Sequence, residues 1–205
     1  MNKLLENLKD KLQDRRTSEK ILEITIAKLE KNLIHMENLN EARAIFQKAS
    51  QVTQTQLSEQ ISGIVTSALS AVGFPYSFVV EFVERRNTTE ADLWFEQNGK
   101  RKKPLDSCGY GAADIASLAL RVAYWKLDGE ARNVLALDEP TRNLSVDKQP
   151  LASMMIRELS RMEGGLQFII VTHQKALAES ADRLFTVVKE NYISHVTQKE
   201  IENAN

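Results

Sequence analysis

The chain has 205 residues, 42% of them hydrophobic, with 8 Gly and 4 Pro, a composition that excludes collagen, low-complexity disorder and a disulfide-stapled miniprotein. Its 27 basic and 28 acidic side chains leave a formal charge of −1, so no global field draws it to nucleic acid or to a membrane, and any such affinity must be local. A single cysteine, Cys108, excludes an intrachain disulfide and a multi-cysteine metal site and fits a reducing, cytoplasmic compartment, and no run of 18 apolar residues or apolar leader segment predicts a membrane span or secretion.

Residues 1–72 contain no proline and one glycine, Gly63, while Leu, Ile, Glu, Lys and Gln dominate, as in a long helix. Leu5, Leu8, Leu12, Leu22, Ile26, Leu29, Leu33 and Met36 fall on alternating steps of three and four, counted through Arg15 and Glu19, which is a heptad seam. A helix of this length would run on the order of 100 Å at 1.5 Å per residue, too long to lie on its own small core, so a coiled-coil arm is expected. Thr17 and Ser18 could cap a second helix and break the rod there.

Gly73 and Pro75 end the arm, and residues 73–205 read as a separate lobe. Residues 77–86 and 92–96 predict two strands joined through a polar turn at 87–89. Asn98-Gly99 and the basic run 100–103 predict a solvated loop; with Arg85 and Arg86 it offers DNA only a few phosphate contacts. A helix is expected over 112–127, with Tyr124 and Trp125 in the core. There follow a strand (133–137), a helix (147–162), a strand (166–171), a short helix (174–181) and strands near 183–188 and 192–196. Strand and helix alternate, so the lobe is α/β with a mostly parallel sheet.

Three segments bring polar groups to places where α/β proteins do chemistry. Val134-Leu135-Ala136-Leu137 runs into Asp138-Glu139-Pro140, a buried strand delivering two carboxylates at its carboxyl end. In nucleotide hydrolases one such group holds magnesium and the next activates water, which would make Asp138 the metal-side group and Glu139 the base; the same text also suits a strand followed by a turn. Phe168-Ile169-Ile170-Val171 delivers Thr172-His173 in the same manner, and His173 lands beside Asp138 and Glu139 if the strands are neighbours, although a structural histidine would fit there too. Ser107-Cys108-Gly109-Tyr110-Gly111 heads a helix, where backbone N–H groups can meet an anion or Ser107 can simply cap.

In this order, Ser107-Cys108-Gly109-Tyr110 resembles the signature motif of ABC-type ATPases, Asp138-Glu139-Pro140-Thr141 a Walker B motif, Arg142-Asn143-Leu144-Ser145 a D-loop, and Thr172-His173 an H-switch. Together with the preceding heptads, residues 74–196 resemble the carboxyl-terminal half of the head of a structural-maintenance-of-chromosomes (SMC) or SbcC-type DNA-repair ATPase, phage recombination homologues included. The resemblance implies ATP and Mg2+ as cofactors, Ser107 and Gly109 on the γ-phosphate held by a second head, Asp138 on magnesium through water, Glu139 as the base, and His173 sensing the γ-phosphate. It also implies a Walker A-bearing amino-terminal lobe and a second ATPase head as partners, then DNA and a nuclease subunit, in a cytoplasmic, nucleoid-associated setting with no membrane. No Gly-x-x-x-x-Gly-Lys-Ser/Thr occurs, so the phosphate-cradling loop must come from elsewhere and the chain by itself is expected to be inactive. Asp106, Cys108, Tyr110 and Ser145 depart from the usual motif residues; they leave open an alternative, a non-catalytic binding or inhibitory lobe that pairs with another head.

Overall fold

The computed structural model describes residues 2–86, 88–162 and 164–200, with the side chains of residues 2–4, 6, 107 and 200 left aside. It divides into two compact units, Met1–Thr53 and Gln54–Asn205.

Helix α1 (Asn2–Ala71) is continuous, so the expected break at Thr17 and Ser18 does not occur; Thr17 Oγ1 instead donates to the Gln13 carbonyl within the helix. In the first unit the seam residues Leu5 to Met36 are 47–60% exposed, an uncovered apolar stripe. In the second unit α1 ends because Gly73, at φ 76°, reverses the chain. Gly73 N–H bonds the Ser70 carbonyl and Phe74 N–H the Leu69 carbonyl, both at 2.9 Å, which closes the last turn as a Schellman motif. Lys148 Nζ donates to the Val72 and Gly73 carbonyls at 3.2 and 3.0 Å and lies 4.8 Å from the Phe74 ring centroid.

Strands β1 (Ser77–Arg85), β2 (Thr88–Gln97) and β3 (Lys100–Lys102) form an antiparallel sheet in that order. Thr88 and Thr89 belong to β2 rather than to a turn, and Asn87 lies outside the described residues. The basic run is a strand, not a loop, because Asn98 and Gly99 have φ 52° and 71°, the positive pair that makes a two-residue hairpin turn. The open edge of β1 is covered by α1 in a regular way. Ser58, Ser62 and Thr66, four residues apart on one helix face, bond its backbone: Ser58 Oγ donates to the Val80 carbonyl, Ser62 Oγ accepts from Val80 N–H at 3.1 Å, and Thr66 Oγ1 accepts from Phe78 N–H at 2.8 Å.

Short helix α2 (Pro104–Ser107) leads into α3 (Tyr110–Leu127). The buried stripe Ile115, Leu118 and Ala119 of α3 shares one core with Val65, Leu69 and Val72 at the end of α1, Phe78, Val80 and Phe95 of the sheet, and Ala152, Met155 and Ile156 of α4 (Gln149–Ser160). Tyr124 faces solvent rather than the core, while Trp125 Nε1 donates to Asn133 Oδ1. The parallel pair is β4 (Val134–Asp138) with β5 (Gln167–Val171), in register Asp138 to Val171, joined through α4 as a βαβ unit. After α5 (Lys175–Ser180), strands β6 (Arg183–Glu190) and β7 (Ile193–Glu200) form a separate antiparallel ribbon. No described helix is long and apolar enough to cross a membrane.

Candidate functional site

Parallel pairing of β4 with β5 brings their carboxyl ends side by side, which is where the sequence puts its polar residues. Glu139 follows β4 directly, and its N–H donates to the Val171 carbonyl at 2.9 Å, so the turn out of one strand is pinned to the last residue of the other. Its φ is 44°, a region that non-glycine residues seldom enter. There the carboxylate meets the loop after β5. Oε1 accepts from His173 N–H at 3.0 Å and contacts His173 Nδ1 at 2.7 Å, and Oε2 accepts from Thr172 Oγ1 at 3.2 Å.

These contacts set the electrostatics. The His173 ring holds the Glu139 carboxyl below the usual carboxylate range, with the Thr172 hydroxyl and the His173 backbone adding and partial desolvation opposing. Glu139 is therefore ionised at neutral pH. Its side chain is 26% exposed and that of His173 75%, so the pair opens to solvent instead of lying in the core. Asp138 is exposed at the end of β4. Among the described residues no three His, Cys, Asp or Glu side chains converge as a metal cluster, so a cation here would rest on one carboxylate, water and oxygens of a ligand.

Gly109 precedes α3 as its N-cap, with φ 78° and no side-chain cap. Ser107 is the last residue of α2, two positions before that N-cap; its side chain, and with it the expected capping, lies outside the described residues. Cys108 is buried and sits beside Tyr76, whose hydroxyl is pushed up first by burial and then by that thiol. The head of α3 is tied to the segment after Pro140. Asp114 accepts from the Asn143 backbone N–H at 2.8 Å and from Asn143 Nδ2 at 3.3 Å, and Gly111 packs against Asn143 and Leu144. Farther along this segment the Ser145 hydroxyl holds the Asp147 carboxyl below its usual range.

The sequence-predicted residues thus form two groups: Asp138, Glu139 and His173 at the strand ends, and Ser107 and Gly109 at the start of α3. Thr172 was legible only as the neighbour of His173. Thr141 enters the sequence reading only as the last residue of the Walker B-like stretch, and Asp114 and Gln174 belong to no motif; the one signal for Asp114 is a carboxylate in the first turns of an otherwise apolar helix. Of the basic residues near the hairpin, Arg85 pairs with Glu90 and Asp92, and Arg101 with Glu81 and Glu96, which removes two of the charges that could meet DNA.

No protein-family model matches the chain. Two curated relatives are both named DNA double-strand break repair Rad50 ATPase. The one from Aeropyrum pernix is 32% identical over 95 residues, 46% of this chain and 10% of the relative. The one from Saccharolobus solfataricus is 29% identical over 115 residues, 56% of this chain and 13% of the relative. The chain therefore spans about a tenth of the length of these proteins. Among solved structures, the Smc head domain with a coiled coil and joint from Pyrococcus yayanosii superimposes with TM-score 0.64 at 18% identity, covering 86% of this chain and 34% of that one. A structure described in terms of ATP-driven dimerisation and DNA-stimulated activation of SMC ATPases gives TM-score 0.58 at 19% identity, covering 74% and 90%. The relatives and the shared fold support the same half-head that the motifs resemble.

Proposed function

From a chain built as the carboxyl-terminal half of an SMC/Rad50-type ATPase head, we propose that residues 73–205 are the hydrolytic half of a shared ATP site and residues 1–72 its coiled-coil arm. The observation that carries the reading is the Glu139, Thr172 and His173 cluster at the carboxyl ends of two parallel strands. Asp138 would hold magnesium through water, and the ion when bound neutralises phosphate charge.

Glu139 is the general base. Both its oxygens are engaged, yet Oε2, with Thr172 as its one hydrogen-bond donor, keeps a lone pair for a water molecule. As the water oxygen bonds to the γ-phosphorus, its proton passes to Glu139 and the β–γ bridging oxygen departs with ADP. His173 holds the carboxylate from Nδ1 and has Nε2 for a phosphate oxygen.

The partners follow from what is uncovered. Val134, Ile169 and Val171 of the parallel pair and Phe185, Val187 and Val196 of the terminal ribbon are exposed. They suit a Walker A-bearing lobe that completes the sheet, and the seam of α1 suits an antiparallel helix from the same lobe. Ser107 and Gly109, with the segment held by Asp114, would face the nucleotide of a second head. DNA contacts would fall to Arg86, Lys100, Lys102 and Lys103, in a cytoplasmic, nucleoid-associated complex acting in DNA repair or recombination; a nuclease subunit would join it.

The test is reconstitution. The chain alone hydrolyses ATP no faster than buffer, and adding a Walker A-bearing lobe produces turnover. Glu139→Gln lowers that turnover by roughly 100-fold or more, the scale of general-base catalysis, while prolonging ATP-held dimers. Turnover that survives Glu139→Gln removes the residue from the role of base.

A further inference from the structure

Glu139 and His173 stand on different loops, and the loops are joined by a second, buried pair. Thr141 Oγ1 donates to Gln174 Oε1 at 2.6 Å, and Gln174 Nε2 donates back to the Thr141 carbonyl at 2.7 Å. Thr141 is 1% and Gln174 5% exposed. Bonds so shielded are expensive to lose, because each leaves a buried polar atom bare. Gln174 is the N-cap of α5, but its side chain makes no capping bond; it is committed to Thr141 instead.

A chain of hydrogen bonds leads from this pair to the carboxylate. Gln174 N–H donates to Thr172 Oγ1 at 3.1 Å, and Thr172 Oγ1 donates to Glu139 Oε2 at 3.2 Å. Glu139 also sits at positive φ, a strained setting for a side-chain-bearing residue that persists only where the surroundings over-determine it. Its own backbone bonds, to the Val171 carbonyl and from Arg142 N–H, hold the turn at its entry and within itself. The Thr141–Gln174 pair holds it from the opposite loop.

We propose that Thr141 and Gln174 are positioning residues, a two-bond clasp that presses the Glu139 turn against the His173 loop and sets the carboxylate in contact with His173 before nucleotide arrives. The clasp touches no reacting atom and acts through Glu139; its catalytic meaning rests on the reading of Glu139 and His173 given above.

The experiment compares Thr141→Val and Gln174→Met, which keep shape and remove bonding groups, with Thr141→Ser, which restores the hydroxyl. In the 205-residue chain, amide hydrogen exchange at Glu139 and His173 accelerates roughly tenfold in the first two variants and stays within about twofold of wild type in Thr141→Ser. Exchange at Leu118 and Ala119 is unchanged in all three, which separates loosening of the loops from loss of the fold. In the head reconstituted with a Walker A-bearing lobe, Thr141→Val and Gln174→Met lower kcat roughly tenfold while KM for ATP moves less than about twofold. Wild-type exchange at Glu139 and His173 in both variants overturns the clasp. So does an unchanged kcat in a head whose turnover Glu139→Gln abolishes. If Glu139→Gln leaves turnover intact, the hydrolytic reading falls by itself and exchange still decides whether the clasp exists.

Discussion

Gly111→Ala pits two opposing effects against each other in the first turn of α3. Alanine is the better helix former by at most about 1 kcal/mol, and by less near a helix end. A Cβ at this position would stand 3.0 Å from the Asn143 carbonyl oxygen, 3.2 Å from Leu144 Cδ1 and 3.5 Å from Leu144 Cα. The segment cannot simply withdraw, since Asp114 holds Asn143 at 2.8 and 3.3 Å and Leu144 is buried. Overpacking of this kind costs about 1–3 kcal/mol, and stretching the longer Asp114 bond adds to it. The balance is a loss of about 1–2 kcal/mol, which for a chain of this length lowers Tm by roughly 2–8 °C. Both tryptophans, Trp94 and Trp125, lie in the second unit, so thermal unfolding followed by their fluorescence reports on it without the signal of the long helix. In an Asp114→Ala background the segment is free to retreat, and the penalty for Gly111→Ala shrinks by about 0.5 kcal/mol or more. A Tm equal to or above wild type, or full additivity with Asp114→Ala, would refute the claim that these elements are locked together.

The contact between Glu139 and His173 has a definite pH sense. A carboxyl held below its ordinary 4.5 contributes stability that is present above that value and lost as pH falls through the lowered one; exchange at the His173 amide, measured from neutral pH downward, should therefore stay slow for its temperature and intrinsic rate until below 4.5, and a loss beginning near neutrality would contradict the assignment. Along α1, Leu22→Glu and Leu29→Glu alter positions already exposed, so the tryptophan-detected Tm should stay within about 2 °C of wild type, as for surface changes of roughly 0.5 kcal/mol or less. The same pair of changes should abolish co-sedimentation with a Walker A-bearing lobe that carries its helix; retained binding would show that the seam is not the contact.

What could be read without coordinates was whatever repeats or ends locally. The steps of three and four from Leu5 to Met36 announced the long helix, and the apolar runs closing on Asp138-Glu139 and on Thr172-His173 announced adjacent strand ends. What escaped was made of partners far apart in the chain with no period linking them. Thr141 and Gln174 lie 33 residues apart and Asp114 and Asn143 lie 29 apart; each is an ordinary polar residue until the fold brings its mate. Glu139's positive φ was equally hidden, because nothing about glutamate signals that backbone. Tyr124 misled for the opposite reason: an aromatic residue inside an apolar helix reads as core, yet one step around the helix from Ala123 faces water. The serine and threonine ladder of α1 carries no signal of its own in the sequence; its purpose appears only once β1 lies alongside.

Lys148 ties the root of α1 to the rest of the lobe. Its ammonium group grips the Val72 and Gly73 carbonyls at the root of α1, and its own N–H returns to the Ser145 carbonyl at 2.9 Å. Ser145 is two residues from Asn143, which Asp114 ties to the head of α3. Beside the apolar packing of Val65, Leu69 and Val72 on α3, a string of polar links thus runs from the root of α1 to the head of α3, and Lys148 is its point of attachment to the long helix.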